Sequence, residues 1–146
     1  MTDTPVALVT GGGTGIGAAC CRALAAEGFR VAVHYRSSEE KARKLADAFT
    51  VQADLDAAEQ IEALIGELKE KTGRVDLLVN SVAPGFIDTD MTAELPDEVR
   101  SAILARIPQQ RMGTPGEVAD VVAFLATRGS YVNGTVIHVN GGMLGG

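Results

Sequence analysis

The sequence is poor in several residue types that define particular protein classes. It has no tryptophan, aromatic residues make up 4% of its 146 residues, and its two cysteines, Cys20 and Cys21, are adjacent. Adjacent cysteines rarely form a structural bridge, and no metal-ligand spacing occurs, so we predict two buried thiols and no metal site. No apolar run approaches the ~20 residues that cross a bilayer. The N-terminus lacks the basic region of a secretory signal. We therefore expect a cytoplasmic protein with no membrane partner.

Basic residues are also few relative to acidic ones. The chain has 13 Lys and Arg against 19 Asp and Glu, a net charge of −6. Such a surface disfavours nucleic acid as a partner. Hydrophobic residues reach 46% and glycine 17 residues. At this length we expect a single domain over residues 1–146 with one core.

Short apolar runs alternate with helical patterns along the chain. This alternation predicts an α/β fold, a Rossmann-like doubly wound parallel sheet in three layers with about five strands. Serine or aspartate followed three residues later by glutamate marks helix starts at Ser37 and Asp56, and Thr114 with Glu117 marks another. The predicted strands are 5–10, 30–35, 49–52, 75–83 and 134–139; the predicted helices are 15–27, 37–48, 56–73, 97–107 and one from 114.

A glycine-rich loop separates the first predicted strand from the first predicted helix. Glycines at such a turn let backbone N–H groups approach an anion, and the helix N-terminus behind them favours negative charge. At the first strand-to-helix turn of an α/β chain, this pattern predicts a dinucleotide site. A tight turn without a ligand is the alternative. The loop residues predicted to bind the cofactor are Thr10, Gly11, Gly13, Thr14, Gly15, Ile16 and Gly17.

The end of the second predicted strand bears on which dinucleotide is bound. Folds that bind NAD often carry an acid there for the ribose 2′-hydroxyl. This chain instead has Tyr35, Arg36 and Ser37. Because an arginine can pair with a 2′-phosphate that an acid would repel, we predict NADP(H) rather than NAD(H). A solvated surface charge is the alternative role for Arg36.

Together with later segments, these residues resemble the short-chain dehydrogenase/reductase family, especially the 3-oxoacyl-acyl-carrier-protein reductases. The similar segments are the loop 10–17, Ala53-Asp-Leu55, Val75–Asn80, Pro84–Thr89, Arg111–Glu117 and Val132–Gly142. The resemblance implies that Asp54 lies against an adenine and that the loop from Pro84 holds a nicotinamide and a phosphate. The further cofactor-binding residues it implies are Asp54, Leu55, Asn80, Pro84, Gly85, Ile87 and Thr89.

The family's catalytic residues have no counterpart in this sequence. Its serine and its Tyr-x-x-x-Lys pair lie between two blocks that are fused here at Asn80-Ser81. The only tyrosines, Tyr35 and Tyr131, are not followed four residues later by lysine. We therefore assign no catalytic residue. We also expect structural roles for His34 and His138, because no nucleophile or base partner can be assigned to either.

Two functional hypotheses remain. The first, implied by the resemblance, is an NADPH-dependent reductase of a small carbonyl or alcohol substrate, with an acyl-carrier-protein thioester as one candidate, acting as a homo-oligomer (dimer or tetramer). The second is a catalytically silent dinucleotide-binding domain, which fits the sequence without further residues. The fusion leaves residues 75–83 to serve as one strand where the family has two. Five strands in the order 3-2-1-4-5 would then still form a compact sheet.

Overall fold

The computed structural model describes residues 4–45 and 49–143. Within them the chain alternates between strands and helices up to β4 and is helical after it. The elements are β1 (Val6–Val9), α1 (Gly15–Ala26), β2 (Arg30–Tyr35), α2 (Glu39–Arg43), β3 (Phe49–Gln52), α3 (Ala58–Thr72), β4 (Leu77–Val79), α4 (Asp90–Ala93), α5 (Asp97–Arg106) and α6 (Pro115–Thr127).

Four parallel strands form one sheet in the order β3-β2-β1-β4. The register aligns Ala7 of β1 with Val31 of β2 and with Leu77 of β4, and Ala32 of β2 with Phe49 of β3. Because all strands are parallel, their carboxyl ends lie at one edge of the sheet, and the loops that follow them gather there.

Helices cover both faces of the sheet, which confirms the predicted three-layer α/β fold. On one face α1 and α6 pack together, and alternate residues of β1 and β2 point into this layer. On the other face α3 covers the remaining positions through Leu64 and Leu68. The first cluster contains Ala7, Val9, Ala19, Cys20, Cys21, Leu24, Val31, Val33, Tyr35, Ala42 and Ala119; the second contains Leu8, Ala32, Val51, Ala53, Leu64 and Leu68. The two cysteines are buried and free, as predicted.

The prediction of a fifth strand was wrong for the described residues. Residues 134–139 form no ladder with the sheet, and β4 is only three residues long instead of nine. A cavity of about 430 Å³ lies between α6 and the 132–139 segment, so this segment packs beside the sheet rather than in it. The sheet therefore ends at β4, where Leu78 is 56% exposed. One strand does not serve as a scaffold for both neighbours, because the chain turns away after Val79.

Helix boundaries agree with the sequence patterns in part. Thr114 and Glu117 form the predicted capping box. The two other predicted starts were wrong: α2 begins after Ser38, and α3 begins after Ala57. Ala57 makes no side-chain cap, and the Asp54 carboxylate instead accepts from the N–H of Asp56 at 3.0 Å, which forms a turn before α3. The predicted end of the second helix near residue 48 lies outside the described residues. The short α4 falls in a segment predicted as loop.

None of the helices in the described ranges has the length and apolar character needed to cross a membrane.

Candidate cofactor-binding site

The glycine loop runs from β1 to α1 at the carboxyl edge of the sheet. Gly11 has φ +62°, a left-handed conformation that glycine adopts without steric cost. The N–H of Thr10 donates to the Val79 carbonyl at 2.9 Å, and the Thr10 hydroxyl donates to the Asn80 carbonyl. The loop is therefore fastened to the end of β4, and Asn80 lies beside it, as the resemblance implied.

The first two amides of the loop are directed into the protein. The N–H of Gly11 donates to Nδ1 of His34 at 3.2 Å, and the N–H of Gly12 donates to the His34 carbonyl at 2.9 Å. In the described structure, the amides of residues 13–17 have no hydrogen bond to a protein acceptor. These five amides, at the start of α1, are thus the ones that remain for an anion.

Close packing holds the loop against α1. A Cβ atom built on Gly17 would lie 2.3 Å from the Gly11 carbonyl oxygen, and one built on Gly12 would lie 2.8 Å from Sγ of Cys21. The Cys21 thiol donates to the Gly12 carbonyl at 3.7 Å. Burial raises the pKa of this thiol to about 12, so Cys21 stays a neutral packing residue.

A pocket of about 360 Å³ opens on one side of the loop, among the ends of four strands. It brings together six residues that the sequence analysis assigned to the cofactor. They come from the loops after β1, β2, β3 and β4 and are Thr10, Gly11, Arg36, Asp54, Leu55 and Asn80. His34, Ala53 and Asp56 complete the lining. We refer to it as the strand-end pocket.

A second pocket of about 480 Å³ lies on the other side of the loop, before α1. It joins the predicted residues Gly13, Thr14 and Gly15 to Thr89. Three exposed cations that the sequence analysis did not select also line it: Arg22 of α1, Lys41 of α2 and Lys44 after α2. Their spacing resembles that of any solvated helix face, so the sequence offered no signal for them. We refer to it as the helix-start pocket.

The loop after Pro84 reaches the helix-start pocket only through its last residues. Ile87 is 5% exposed and pairs with Gly113 in an isolated parallel bridge. The N–H of Gly85 donates to the Val139 carbonyl at 3.0 Å. Thr89 caps α4 and reaches within 3.9 Å of the Cβ position of Gly15. Thr89 is therefore beside the glycine loop, whereas Pro84 lines the cavity beside α6 and Ile87 packs inward.

Three further predicted residues line neither pocket. Tyr35 is 6% exposed and belongs to the core beside α1, so its side chain is not brought to the cofactor site as the sequence analysis expected. The reason is strand alternation, which turns Tyr35 to the face opposite His34. Ile16 packs against the same core, and Ser37 is exposed beside Arg36.

Neither tyrosine is placed for proton transfer. Burial, and then the Glu39 carboxylate, raises the pKa of Tyr35. A catalytic tyrosine near neutral pH needs the opposite shift. Tyr131 is fully exposed. In the part of the chain that the structure describes, no group of His, Cys, Asp and Glu could hold a metal ion.

Sequence comparison gives the same assignment for both halves of the chain. Residues 5–83 match the family model described as short chain dehydrogenase, and residues 78–144 match the one described as Enoyl-(Acyl carrier protein) reductase. The two matched ranges meet at the end of β4.

Individual relatives match the chain over different lengths. A 3-oxoacyl-[acyl-carrier-protein] reductase FabG from Pseudomonas aeruginosa is 50% identical over 84 residues, which are 57% of this chain and 34% of that protein. The FabG of Vibrio cholerae is 58% identical over 66 residues, 44% of this chain and 27% of that protein. The chain thus matches about a third or less of the length of these relatives.

A third relative indicates where the length differs. A Staphylococcus aureus FabG (strain N315) aligns over 244 positions at 28% identity, covering 98% of this chain and 99% of that protein. Because this chain has 146 residues, a large internal part of that alignment has no counterpart here.

Two solved structures share the fold. They are gox2181, with a TM-score of 0.89, 21% identity and coverage of 97% of this chain and 96% of that one, and the TT0495 protein from Thermus thermophilus, with a TM-score of 0.86, 23% identity and coverage of 99% and 100%. With more than half of its residues matched by the first family model, the chain belongs to the short-chain dehydrogenase family.

Proposed function

We propose that this chain binds NADP(H) at the carboxyl edge of its sheet, as the cofactor domain of an oxidoreductase similar to 3-oxoacyl-[acyl-carrier-protein] reductases. The observation that carries the proposal is the set of five amides, at residues 13–17, that have no protein acceptor in the described structure. They lead into a helix of 12 residues and lie between two pockets lined by residues from separate elements.

The residues present fit such a dinucleotide. The amides and the helix-start pocket, with Arg22, Lys41 and Lys44, would hold the phosphates, because cations and helix N-termini both favour anions. The strand-end pocket, with Asp54 and Leu55, would hold the adenosine part. A bound nicotinamide dinucleotide supplies a hydride. The protein's part is to bind and orient it.

Arg36 supports NADP(H) over NAD(H). It is exposed at the mouth of the strand-end pocket, and its backbone carbonyl accepts from the Gln52 side chain at 3.0 Å, which fixes the turn after β2. No acid replaces it between residues 35 and 38. An exposed guanidinium in a fixed turn can pair with a 2′-phosphate, which NAD(H) lacks.

Carbonyl reduction is the second candidate function, and the FabG relatives favour it. It requires a proton donor, and general acid catalysis contributes about 10²–10⁴ in rate. The 146 residues contain no Tyr-x-x-x-Lys pair, so we assign reduction of a 3-oxoacyl thioester to a form of the protein that carries the internal stretch found in the relatives. Homo-oligomeric assembly and a cytoplasmic location belong to the same proposal.

The test is titration calorimetry of the 146-residue chain with NADPH and with NADH. Removing the guanidinium in Arg36→Ala is expected to weaken NADPH binding about 5- to 10-fold and leave NADH unchanged. Arg106→Ala is the matched control, since Arg106 is exposed at the end of α5 and lines neither pocket. A chain that is folded but binds neither dinucleotide contradicts the proposal. NADPH oxidation by this chain with an acetoacetyl thioester would contradict the assignment of catalysis to a longer form.

A further inference from the structure

His34 is the one buried polar residue in the described core, at 4% exposure, and the proposed binding of NADP(H) gives its side chain no contact with the cofactor. It lies on β2 in the middle of the sheet, one residue before the strand end. A buried polar side chain at such a position is costly unless both of its ring nitrogens are hydrogen-bonded.

Both nitrogens have partners, and the partners belong to different walls of the strand-end pocket. The N–H of Gly11 in the glycine loop donates to Nδ1 at 3.2 Å. Nε2 lies 3.0 Å from the carbonyl oxygen of Ala53, just beyond β3. Because a carbonyl can only accept, Nε2 carries the proton and Nδ1 is the acceptor, so the ring is the neutral Nε2–H form.

The imidazole therefore spans the gap between the glycine loop and the exit of β3. On the loop side it occupies the Gly11 amide, which directs the following free amides, at residues 13–17, toward the start of α1. On the other side it fixes Ala53, the residue before Asp54 and Leu55 of the pocket. Leaving the Gly11 amide without an acceptor would release the loop from this position.

We propose that His34 is a positioning residue for the cofactor: its neutral ring sets the glycine loop against the exit of β3 and so shapes the site for the dinucleotide. This inference rests on the proposed NADP(H) binding. It assigns the Gly11 amide to His34 and not to a phosphate, which separates Gly11 from the loop residues that contact an anion.

Three substitutions separate the two hydrogen bonds. His34→Asn places an amide oxygen near the Nδ1 position and keeps an acceptor for Gly11, whereas His34→Gln reaches toward Ala53 and leaves Gly11 without one. His34→Leu removes both bonds. We expect His34→Asn to bind NADPH within about 3-fold of the unmodified chain, and His34→Gln and His34→Leu to bind about 3- to 10-fold more weakly.

A spectroscopic readout accompanies the affinities. In the absence of cofactor, the ¹H–¹⁵N resonance of the Gly11 amide is expected to move in His34→Gln and His34→Leu and to stay near its place in His34→Asn. Leu68→Ala serves as a control for lost stability, because Leu68 of α3 is fully buried in the second core cluster and lines neither pocket. Measured where it is folded, it should bind NADPH with unchanged affinity.

The outcomes are decisive in both directions. Rescue of affinity and of the Gly11 resonance by asparagine, and not by glutamine, supports the inference. Equal affinities for His34→Asn and His34→Gln overturn it while leaving the proposed function intact. A lack of NADPH binding by the folded, unmodified chain overturns the proposed function, and with it the role of His34 toward a cofactor.

Discussion

Replacing Gly17 by alanine tests how tightly the glycine loop is fixed. The new Cβ atom would lie 2.3 Å from the Gly11 carbonyl oxygen, 2.9 Å from the Gly11 carbonyl carbon and 3.0 Å from Cα of Gly12. All three atoms belong to the backbone, so no side chain can rotate away to relieve the contact. The loop or the first turn of α1 must move.

The loop cannot move without losing hydrogen bonds. Thr10, Gly11 and Gly12 are held by the Val79 carbonyl, the His34 ring and the His34 carbonyl. Overpacking costs about 1–3 kcal/mol and each lost hydrogen bond about 0.5–1.5 kcal/mol, while alanine in a helix regains up to about 1 kcal/mol relative to glycine. From these magnitudes we expect Gly17→Ala to lower the free energy of unfolding by about 2–3 kcal/mol and to weaken NADPH binding at least about 10-fold.

Gly66→Ala is the matched control for this prediction. Gly66 lies inside α3, and a Cβ atom there would meet no atom within 4 Å. The same substitution should stabilise the protein, by about 0.5–1 kcal/mol, and leave NADPH affinity unchanged. Urea unfolding followed by circular dichroism gives the stability, and calorimetry gives the affinity. A Gly17→Ala chain as stable as the unmodified protein, with unchanged affinity, would refute the loop geometry.

Two further predictions concern stability. The two guanidinium hydrogen bonds from Arg111, at 2.5 and 2.9 Å, together with the Thr114 amide, lower the pKa of Glu117 from 4.5 to about 2. Its contribution to stability is therefore present above about pH 4.5 and lost as the pH falls toward 2, so Glu117→Gln should flatten the decline of the urea midpoint over this range; an unchanged slope would contradict it. Leu68→Ala, at a fully buried site, should cost about 2–5 kcal/mol in urea unfolding, whereas Leu78→Ala, at a 56% exposed site, should cost under about 1 kcal/mol; similar losses would mean that the edge of β4 is covered in solution.

The parts of the fold that local patterns specify were predictable. The Thr114 and Glu117 capping box, the buried run of β1 and the glycine loop each depend on residues close in sequence. The α/β class followed from their alternation. Most of the strand-end pocket was also predictable, because parallel strands bring their carboxyl ends together whatever the details of packing.

Long-range pairing was not predictable from these patterns. The 134–139 segment has the composition of a strand, but joining the sheet requires a neighbour with free backbone groups in register, and β4 ends after three residues. Alternation along β2 likewise decided that Tyr35 faces the core and His34 the opposite side, which the assignment of Tyr35 to the cofactor did not take into account.

By itself, the sequence determined the family, the sheet class and the location of a dinucleotide loop, because these follow from glycine spacing, apolar periodicity and the order of motifs. Only the tertiary structure decided which loop amides remain for an anion, that Arg22, Lys41 and Lys44 converge beside them, and that His34 connects Gly11 to Ala53. Those features depend on which residues of separate elements meet in space, and contacts between distant segments leave no local pattern in the chain.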